Sequence, residues 1–179
     1  MKKAMSIFAI GIVSVSLLTL VIGLFLPDHW EAESVQIIDA PAEQLLPRIA
    51  SFKEWENWAT FEMRKADPSL DVTYSGPESG AGATFSWTGE RMGNGRLTIT
   101  KVEEQTVWYE SAIQSDNVNG QGWIKLEHTS EGTRVTWHDE GKLPAVYGGY
   151  FAAMVEQNLK TQFSAALAKL KEVSEQPED

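Results

Sequence analysis

The hydrophobic pattern separates an apolar N-terminal segment from a longer region of mixed character. Residues 4–26 carry no charged side chain, and they are preceded by Lys2 and Lys3 and followed closely by Asp28. A helix of this length spans roughly 34 Å, which is enough to cross a hydrocarbon core of about 30 Å. We therefore predict one transmembrane helix, so that residues 1–29 form a cytoplasmic stub and a membrane anchor.

The charges on either side of this segment predict its orientation. Lysines precede it and acidic residues follow it, so the positive-inside rule places the N-terminus in the cytoplasm and the domain on the extracytoplasmic, periplasmic side. The alternative is a cleaved secretory signal, which has a shorter apolar core and a small-residue cleavage site. Residues 23–27 offer no such site, which favours a single-pass anchor.

The pattern after the anchor predicts one strand followed by two short helices. Residues 30–39 form the predicted strand, and an Ala-Pro-Ala-Glu sequence then starts a helix that Pro47 should end or bend. Phe52, Trp55 and Trp58 are spaced three apart, which predicts one apolar face of a second short helix.

The region from residue 71 onward has the alternating pattern of antiparallel strands. Apolar and polar residues alternate in short segments, and clusters of Gly, Asn, Ser and Asp separate them. The predicted strands cover residues 71–75, 82–90, 96–103, 106–114, 121–128 and 133–140.

One hairpin is predicted with a definite register. Closing residues 129–132 as a loop pairs Leu126 with Val135 on the apolar face. The same register pairs Glu127 with Arg134 on the opposite face, which is a favourable cross-strand charge pair. Loop, apolar face and charge pairing therefore agree.

A second hairpin is predicted from a glycine-rich turn. A three-residue loop at residues 93–95 puts Phe85 and Trp87 on the same face as Leu97 and Ile99. This face is the apolar one, so we expect it to point into the domain.

The C-terminal pattern predicts one long amphipathic helix. Apolar side chains recur at i, i+4 spacing over residues 150–174. Such a helix buries its apolar stripe against a sheet, which defines an α+β domain. A strongly curved sheet wrapped around one helix leaves space for a ligand between them. We therefore predict one domain over residues 30–174, followed by a polar tail over residues 175–179.

The aromatic content indicates what that space holds. The chain has seven tryptophans among 179 residues, and bulky rings of this kind are mostly buried in a core or a pocket. We expect part of this set to form the wall of a cavity for a hydrophobic small molecule. The predicted ligand-binding residues are Trp58, Phe85, Trp87, Tyr109, Trp137, Tyr150, Phe151 and Met154.

Charge and cysteine content exclude other classes of partner and chemistry. The net charge is −10, and no cluster of basic residues offsets the repulsion from phosphate backbones, so nucleic acid is not an expected partner. The same charge disfavours adsorption on anionic lipid, so membrane attachment must come through residues 4–26. The absence of cysteine excludes disulfides and thiolate chemistry.

The histidines do not predict a metal site. His29 adjoins the apolar segment, while the hairpin register sets His138 opposite Trp123 and leaves His128 on the other face of the sheet. These side chains cannot share an ion. The motifs of serine hydrolases, P-loop NTPases and zinc proteases are also absent, and we predict neither a metal nor another cofactor.

Two carboxylates are candidates for acid–base chemistry. If Trp108 faces the cavity, Glu110 does so too, and burial would suit it to act as an acid or base. If Tyr109 faces inward instead, Glu110 is solvated. Glu90 lies near the glycine turn, where it either reaches the pocket mouth or stays on a solvated hairpin end. If the protein is an enzyme, its candidate catalytic residues are Glu110, Tyr109 and Glu90.

The order of these features resembles the START-like or SRPBCC superfamily, which has the helix-grip fold, and more narrowly its bacterial polyketide cyclase/dehydrase-like branch. The resemblance covers roughly residues 33–173. It is carried by Ala40-Pro41, Trp55, Trp58, Asp67-Pro68, Tyr74-Ser75-Gly76-Pro77, Gly82-Ala83, Trp87-Thr88-Gly89, Gly93-Asn94-Gly95-Arg96, Leu97-Thr98-Ile99, the run from Gly132 to Trp137 and the terminal helix.

The resemblance implies a fold but leaves several functions open. The superfamily includes lipid carriers, steroid and pigment binders, cyclases and chaperone co-factors, and a fold does not choose among them. We expect a non-enzymatic, membrane-anchored binder of a lipid-like or aromatic molecule. A cyclase or dehydratase acting on a hydrophobic substrate is the first alternative. A protein-interaction module, using an outer apolar patch around Trp123, is the second.

Overall fold

The computed structural model describes residues 2–113 and 118–176, which form four α-helices and seven strands. Two short 3₁₀ helices, Glu54–Asn57 and Gly148–Tyr150, lie between them. The elements are α1 (Lys2–Gly23), β1 (His29–Ile38), α2 (Ala42–Ala50), α3 (Ala59–Ala66), β2 (Asp71–Ser75), β3 (Thr84–Gly89), β4 (Gly93–Glu103), β5 (Thr106–Ile113), β6 (Val118–Thr129), β7 (Gly132–Lys142) and α4 (Ala152–Ser174).

The strands form one antiparallel sheet in the order β1-β7-β6-β5-β4-β3-β2. Every connection from β2 to β7 joins neighbouring strands, and β1 pairs with β7 to complete the sheet. The sheet curves around α4, which packs on β1 and α3. This is the α+β arrangement predicted from the pattern, and it is the helix-grip fold that the resemblance implies.

The predicted β6–β7 register is confirmed. Leu126 pairs with Val135, and Glu127 pairs with Arg134 on the other face. The turn is tighter than expected because Thr129 and Gly132 also pair, which leaves two residues in the loop. Inward and outward faces are unchanged, since they depend only on the pairing register.

The β3–β4 turn lies elsewhere than predicted. Gly89 pairs with Gly93, so residues 90–92 form the turn and Gly95 lies within β4. The expected loop at residues 93–95 is therefore wrong. The carboxylate of Asp67 fixes the actual turn, because its Oδ2 accepts the backbone N–H groups of residues 91 and 92 at 2.7 and 3.0 Å.

Gly95 has a packing role instead of a turning role. The indole of Trp87 lies across it, and a side chain at this position would collide with the ring. The predicted face is nevertheless correct, because Phe85 pairs with Leu97 and both line the interior. The register differs by an even number of residues, which conserves the face.

The region between β1 and β2 carries a tryptophan-rich core. Pro47 was expected to end or bend its helix; it lies inside α2 and does not end it, because α2 continues to Ala50. The predicted second helix over the aromatic stripe is a loop with a 3₁₀ turn. Trp55 and Trp58 donate their indole N–H groups to the carbonyls of Ile49 and Arg48, which fixes both rings in this irregular backbone.

The two halves of α4 have different environments. In the C-terminal half, Phe163, Leu167 and Leu170 are buried in the core. In the N-terminal half, Val155 and Leu159 are only partly buried, although both face the sheet side. The helix therefore seals one end of the sheet and leaves a gap at the other.

The helix α1 precedes this domain. Within the residues that the structure describes, no helix is both long enough and apolar enough to cross a membrane. The anchor over residues 4–26 stays a prediction. The last turns of α1 contact the loop before α4, where the hydroxyl of Tyr150 donates to the carbonyl of Thr19 at 2.5 Å.

Candidate ligand cavity

A cavity of about 860 Å³ lies between the sheet and the N-terminal half of α4. Its floor is the inward face of strands β3, β4, β5 and β7, where alternate side chains point toward the helix. Its remaining walls come from α3 and from the loop that leads into α4. Most of the lining is aromatic or aliphatic, as is usual for small-molecule sites.

The structure brings five of the eight predicted ligand-binding residues to this cavity. Trp58 is fully buried behind the wall, where its ring packs on Trp55 and Trp137. Tyr150 and Met154 are exposed and lie outside the lining. The predicted residues that do line it are Phe85, Trp87, Tyr109, Trp137 and Phe151.

A buried polar network lies in the apolar wall. The indole N–H of Trp30 donates to Asp139 Oδ1 at 3.2 Å, and the hydroxyl of Tyr109 donates to Asp139 Oδ2 at 2.8 Å. The Tyr109 oxygen in turn accepts the indole N–H of Trp137 at 2.8 Å. Asp139 is 6% exposed and lines the cavity together with the three rings.

Two glycines on neighbouring strands leave space for the side chains of Tyr109 and Trp30. Tyr109 on β5 lies across Gly122 of β6, and a side chain on Gly122 would collide with the tyrosine hydroxyl. Trp30 on β1 lies across Gly141 of β7 in the same way. Both rings therefore reach Asp139 from opposite sides.

Burial and hydrogen bonding act in opposite directions on Asp139. Desolvation of the carboxylate raises its pKa to about 6, although the hydrogen bonds from Tyr109 and Trp30 oppose the rise. Burial and the neighbouring carboxylate raise the pKa of Tyr109 well above its ordinary value. At neutral pH the pair is therefore a carboxylate that accepts a hydrogen bond from a neutral tyrosine.

Two further polar atoms in the lining have no hydrogen-bond partner among the described residues. They are the indole nitrogen of Trp87 and the hydroxyl oxygen of Ser111, both buried. A buried polar group without a partner destabilises a fold by about 1–3 kcal/mol. A bound molecule with polar atoms would relieve this.

The candidate carboxylates lie outside the cavity. Tyr109 faces inward, so the alternative with a solvated Glu110 is the one that the structure has, and Glu110 is exposed on the outer face opposite Gln121. Glu90 is in the exposed β3–β4 turn, where its backbone N–H donates to Ser69. Neither residue is among those that line the cavity.

The sequence reasoning missed Asp139 and Trp30. A signal for Asp139 was present, because it follows Trp137 by two residues on β7 and therefore shares the inward face. Trp30 gave no comparable signal. Its partner is 109 residues away along the chain, and only the pairing of β1 with β7 brings them together.

The outer face of the sheet carries a second aromatic cluster. Trp108 is 41% exposed and packs near Trp123, whose ring stacks on His138 at 5.0 Å. His138 Nδ1 lies 3.5 Å from a carboxylate oxygen of Glu33. Among the described residues, no group of three or more His, Asp or Glu side chains could hold a metal ion.

The fold and the cavity define a helix-grip domain of the START-like class. The chain belongs to the family described as polyketide cyclase/dehydrase and lipid transport, which matches residues 29–175. The resemblance predicted from sequence is therefore confirmed. No curated protein matches the chain.

Solved structures from several sources share this fold. Protein CV1439 from Chromobacterium violaceum has 12% identity and a TM-score of 0.61, covering 82% of this chain and 98% of that one. The di-domain ARO/CYC StfQ of steffimycin biosynthesis has 10% identity and a TM-score of 0.62, covering 82% and 51%. Ara h 8.0201 has 13% identity and a TM-score of 0.56, covering 82% and 97%. At these identities the likeness is one of fold alone.

Proposed function

We propose that the domain binds one small, predominantly apolar molecule in the cavity beneath the N-terminal half of α4. The observation that carries this proposal is the cavity itself, with its volume of about 860 Å³ and its largely aromatic and aliphatic wall. Protein interiors are otherwise close-packed, and empty apolar space destabilises them. A cavity of this size is in the range used for small-molecule ligands.

A pair of tryptophan substitutions on α4 tests the proposal. Val155 lines the cavity, whereas Ala153 is exposed on the same helix and lies outside the lining. Val155→Trp should fill the gap and Ala153→Trp should leave it open. The full chain in lipid nanodiscs is titrated with fluoronaphthalene and followed by ¹⁹F NMR, with empty discs as background.

We expect a saturable bound resonance at one probe per chain in the wild type and in Ala153→Trp. Val155→Trp should weaken this binding about tenfold or more, because the indole occupies the volume that the probe needs. Equal binding by all three proteins, or none by the wild type, would refute a ligand site beneath α4.

The proposal includes a membrane anchor over residues 4–26, with the domain on the extracytoplasmic side. Its support is the uncharged run and the position of the helix end. Gly149 packs on Leu26, and the loop that follows β7 contributes Leu143 and Phe151 to the cavity lining. The end of α1 therefore lies beside the cavity, where an anchor would raise the local concentration of a lipidic ligand. Alkaline carbonate extraction of membranes tests the anchor, and protease accessibility in spheroplasts tests the side on which the domain lies. Release of the chain by carbonate would refute the anchor.

A second candidate function is supported by Asp139. A carboxylate in an apolar cavity, with its pKa raised to about 6 by burial, is suited to remove a proton next to a carbonyl group. A cyclase or dehydratase on a hydrophobic ketone would use it as the base. Deuterium incorporation from D₂O into β-tetralone tests this: the wild type should accelerate exchange and Asp139→Asn should not. Exchange at the buffer rate with both proteins would refute the enzymatic candidate.

A further inference from the structure

The side chains hydrogen-bonded to Asp139 and Tyr109 have no unused donor, whereas Asp139 itself keeps unused acceptor sites. An indole N–H can only donate, and those of Trp30 and Trp137 are already used. The single hydroxyl proton of Tyr109 is directed to Asp139 as well. A carboxylate has about four lone-pair sites, so Asp139 can still accept hydrogen bonds from a molecule in the cavity.

Ser111 lies on the same patch of the sheet. A Cβ atom built on Gly120 would be 2.8 Å from Ser111 Oγ and 3.0 Å from the Trp30 ring, so these two side chains are close neighbours. Ser111 Oγ is buried, has no partner among the described residues and lines the cavity. Its hydroxyl has one proton to donate as well as lone pairs.

We propose that the ligand carries a neutral hydroxyl group, of an alcohol or a phenol, which donates to Asp139 and accepts from Ser111 while the rest of the molecule is apolar. This inference rests on the proposed function, since it names the class of ligand for the same cavity. A hydroxyl is the simplest group that both donates and accepts, and it therefore satisfies both side chains at once.

Other ligand chemistries fit this wall less well. A carboxylate would bring a second negative charge next to Asp139, and like charges in a buried site repel strongly. The basic residues of the lining are Lys65 on α3 and Arg91 in the β3–β4 turn, and strands β6 and β5 lie between β7 and the β4 end of that turn. A cationic amine would satisfy Asp139 but has no lone pair to accept the proton of Ser111. A pure hydrocarbon satisfies neither.

A matched series of fluorinated naphthyl probes tests the inference. Fluoronaphthalene, fluoronaphthol, fluoronaphthoate and a fluoronaphthylmethylamine share one ring system and differ in the polar group. Each is titrated at neutral pH against the full chain in nanodiscs and followed by ¹⁹F NMR. We expect the naphthol to bind the wild type about tenfold or more tightly than naphthalene, as a hydrogen bond to a charged acceptor implies.

Three variants test which residues cause the preference for the naphthol over naphthalene. Asp139→Asn should remove the preference for the naphthol and leave naphthalene binding unchanged, and Ser111→Ala should reduce the preference in part. Glu110→Gln is the control, because it changes a carboxylate one residue from Ser111 that is exposed on the outer face. It should bind all four probes as the wild type does.

The wild type alone decides the inference if a variant fails to fold. Equal affinity for naphthalene and naphthol would overturn the hydroxyl inference while leaving the proposed function intact. Tightest binding of the amine or of the naphthoate would also overturn it, in favour of a cationic or an anionic ligand. Binding of none of the probes would instead refute the proposed function.

Discussion

The substitution Asp139→Asn should change the pH dependence of stability in a direction that the structure fixes. Burial raises the pKa of Asp139 from the ordinary value of 3.8 to about 6 in the folded protein. Between these two values the folded chain holds a proton that the unfolded chain has lost. The stability contributed by the protonated carboxyl is therefore fully present below the unfolded pKa and is lost as the pH rises through the folded pKa.

The magnitude follows from the difference between the two pKa values. The difference is about two units, and each unit corresponds to about 1.4 kcal/mol, so roughly 3 kcal/mol is lost between about pH 4 and about pH 7. The neighbouring residues on β7, His138 and Glu140, lie on the outer face and are present in both proteins. Comparing wild type with Asp139→Asn cancels their contribution.

Urea unfolding of the full chain in a non-ionic detergent, followed by tryptophan fluorescence, measures this difference. The free energy of unfolding is determined for both proteins at a series of pH values. Wild type minus Asp139→Asn should fall by roughly 3 kcal/mol as the pH rises from about 4 to about 7. A difference that stays constant over this interval, or that rises, would show that Asp139 is not desolvated and would contradict the structural reasoning.

Two further substitutions test how the site is built. Gly122→Ala should push Tyr109 away from Asp139, because the new methyl group meets the tyrosine hydroxyl. We expect the free energy of unfolding, measured in urea, to fall by about 1–3 kcal/mol. An unchanged urea midpoint would contradict the close packing of Tyr109 on Gly122. Asp67→Asn should flatten the acid limb of the stability profile. Hydrogen bonds from Ser69 and from the backbone N–H of Met92 lower the pKa of Asp67. The stability that the Asp67 carboxylate contributes is therefore lost as the pH falls below the ordinary pKa of an aspartate. If the stability of Asp67→Asn fell as steeply at acid pH as that of the wild type, the role of Asp67 in holding the turn would be refuted.

The parts of the fold that could be predicted from sequence depend on local pattern. Alternation along a strand shows which residues share a face, and this sufficed for the β6–β7 pairing of Leu126 with Val135. The C-terminal helix was equally readable from its i, i+4 spacing, and it begins at Ala152, two residues later than predicted.

The glycines were harder to interpret, because a glycine can be required either by a turn or by the close approach of a neighbouring side chain. Gly93 and Gly95 suggested a turn, whereas the turn precedes them and is held by Asp67. Gly95 is required by the Trp87 ring that lies across it. A contact between side chains on different strands leaves no local signature, so a turn and a close approach look alike in the sequence.

The polar centre of the cavity could not be predicted for a related reason. Tyr109 was expected to line the cavity, and its inward orientation was one of two alternatives. Its partner Asp139 was not named, although its position two residues after Trp137 indicates the inward face, because the strand pattern does not show which side chains it meets there. The network exists only when β1, β5 and β7 are brought together by the fold.

Mass spectrometry of the full chain shows whether the space beneath α4 holds an apolar molecule. The wild type, Val155→Trp and Ala153→Trp are purified in nanodiscs of one defined lipid, and small molecules extracted from each are compared. We predict one compound, stoichiometric with the chain, in the wild type and Ala153→Trp and depleted in Val155→Trp. The same extract from all three proteins, with nothing beyond the disc lipid, would contradict the claim.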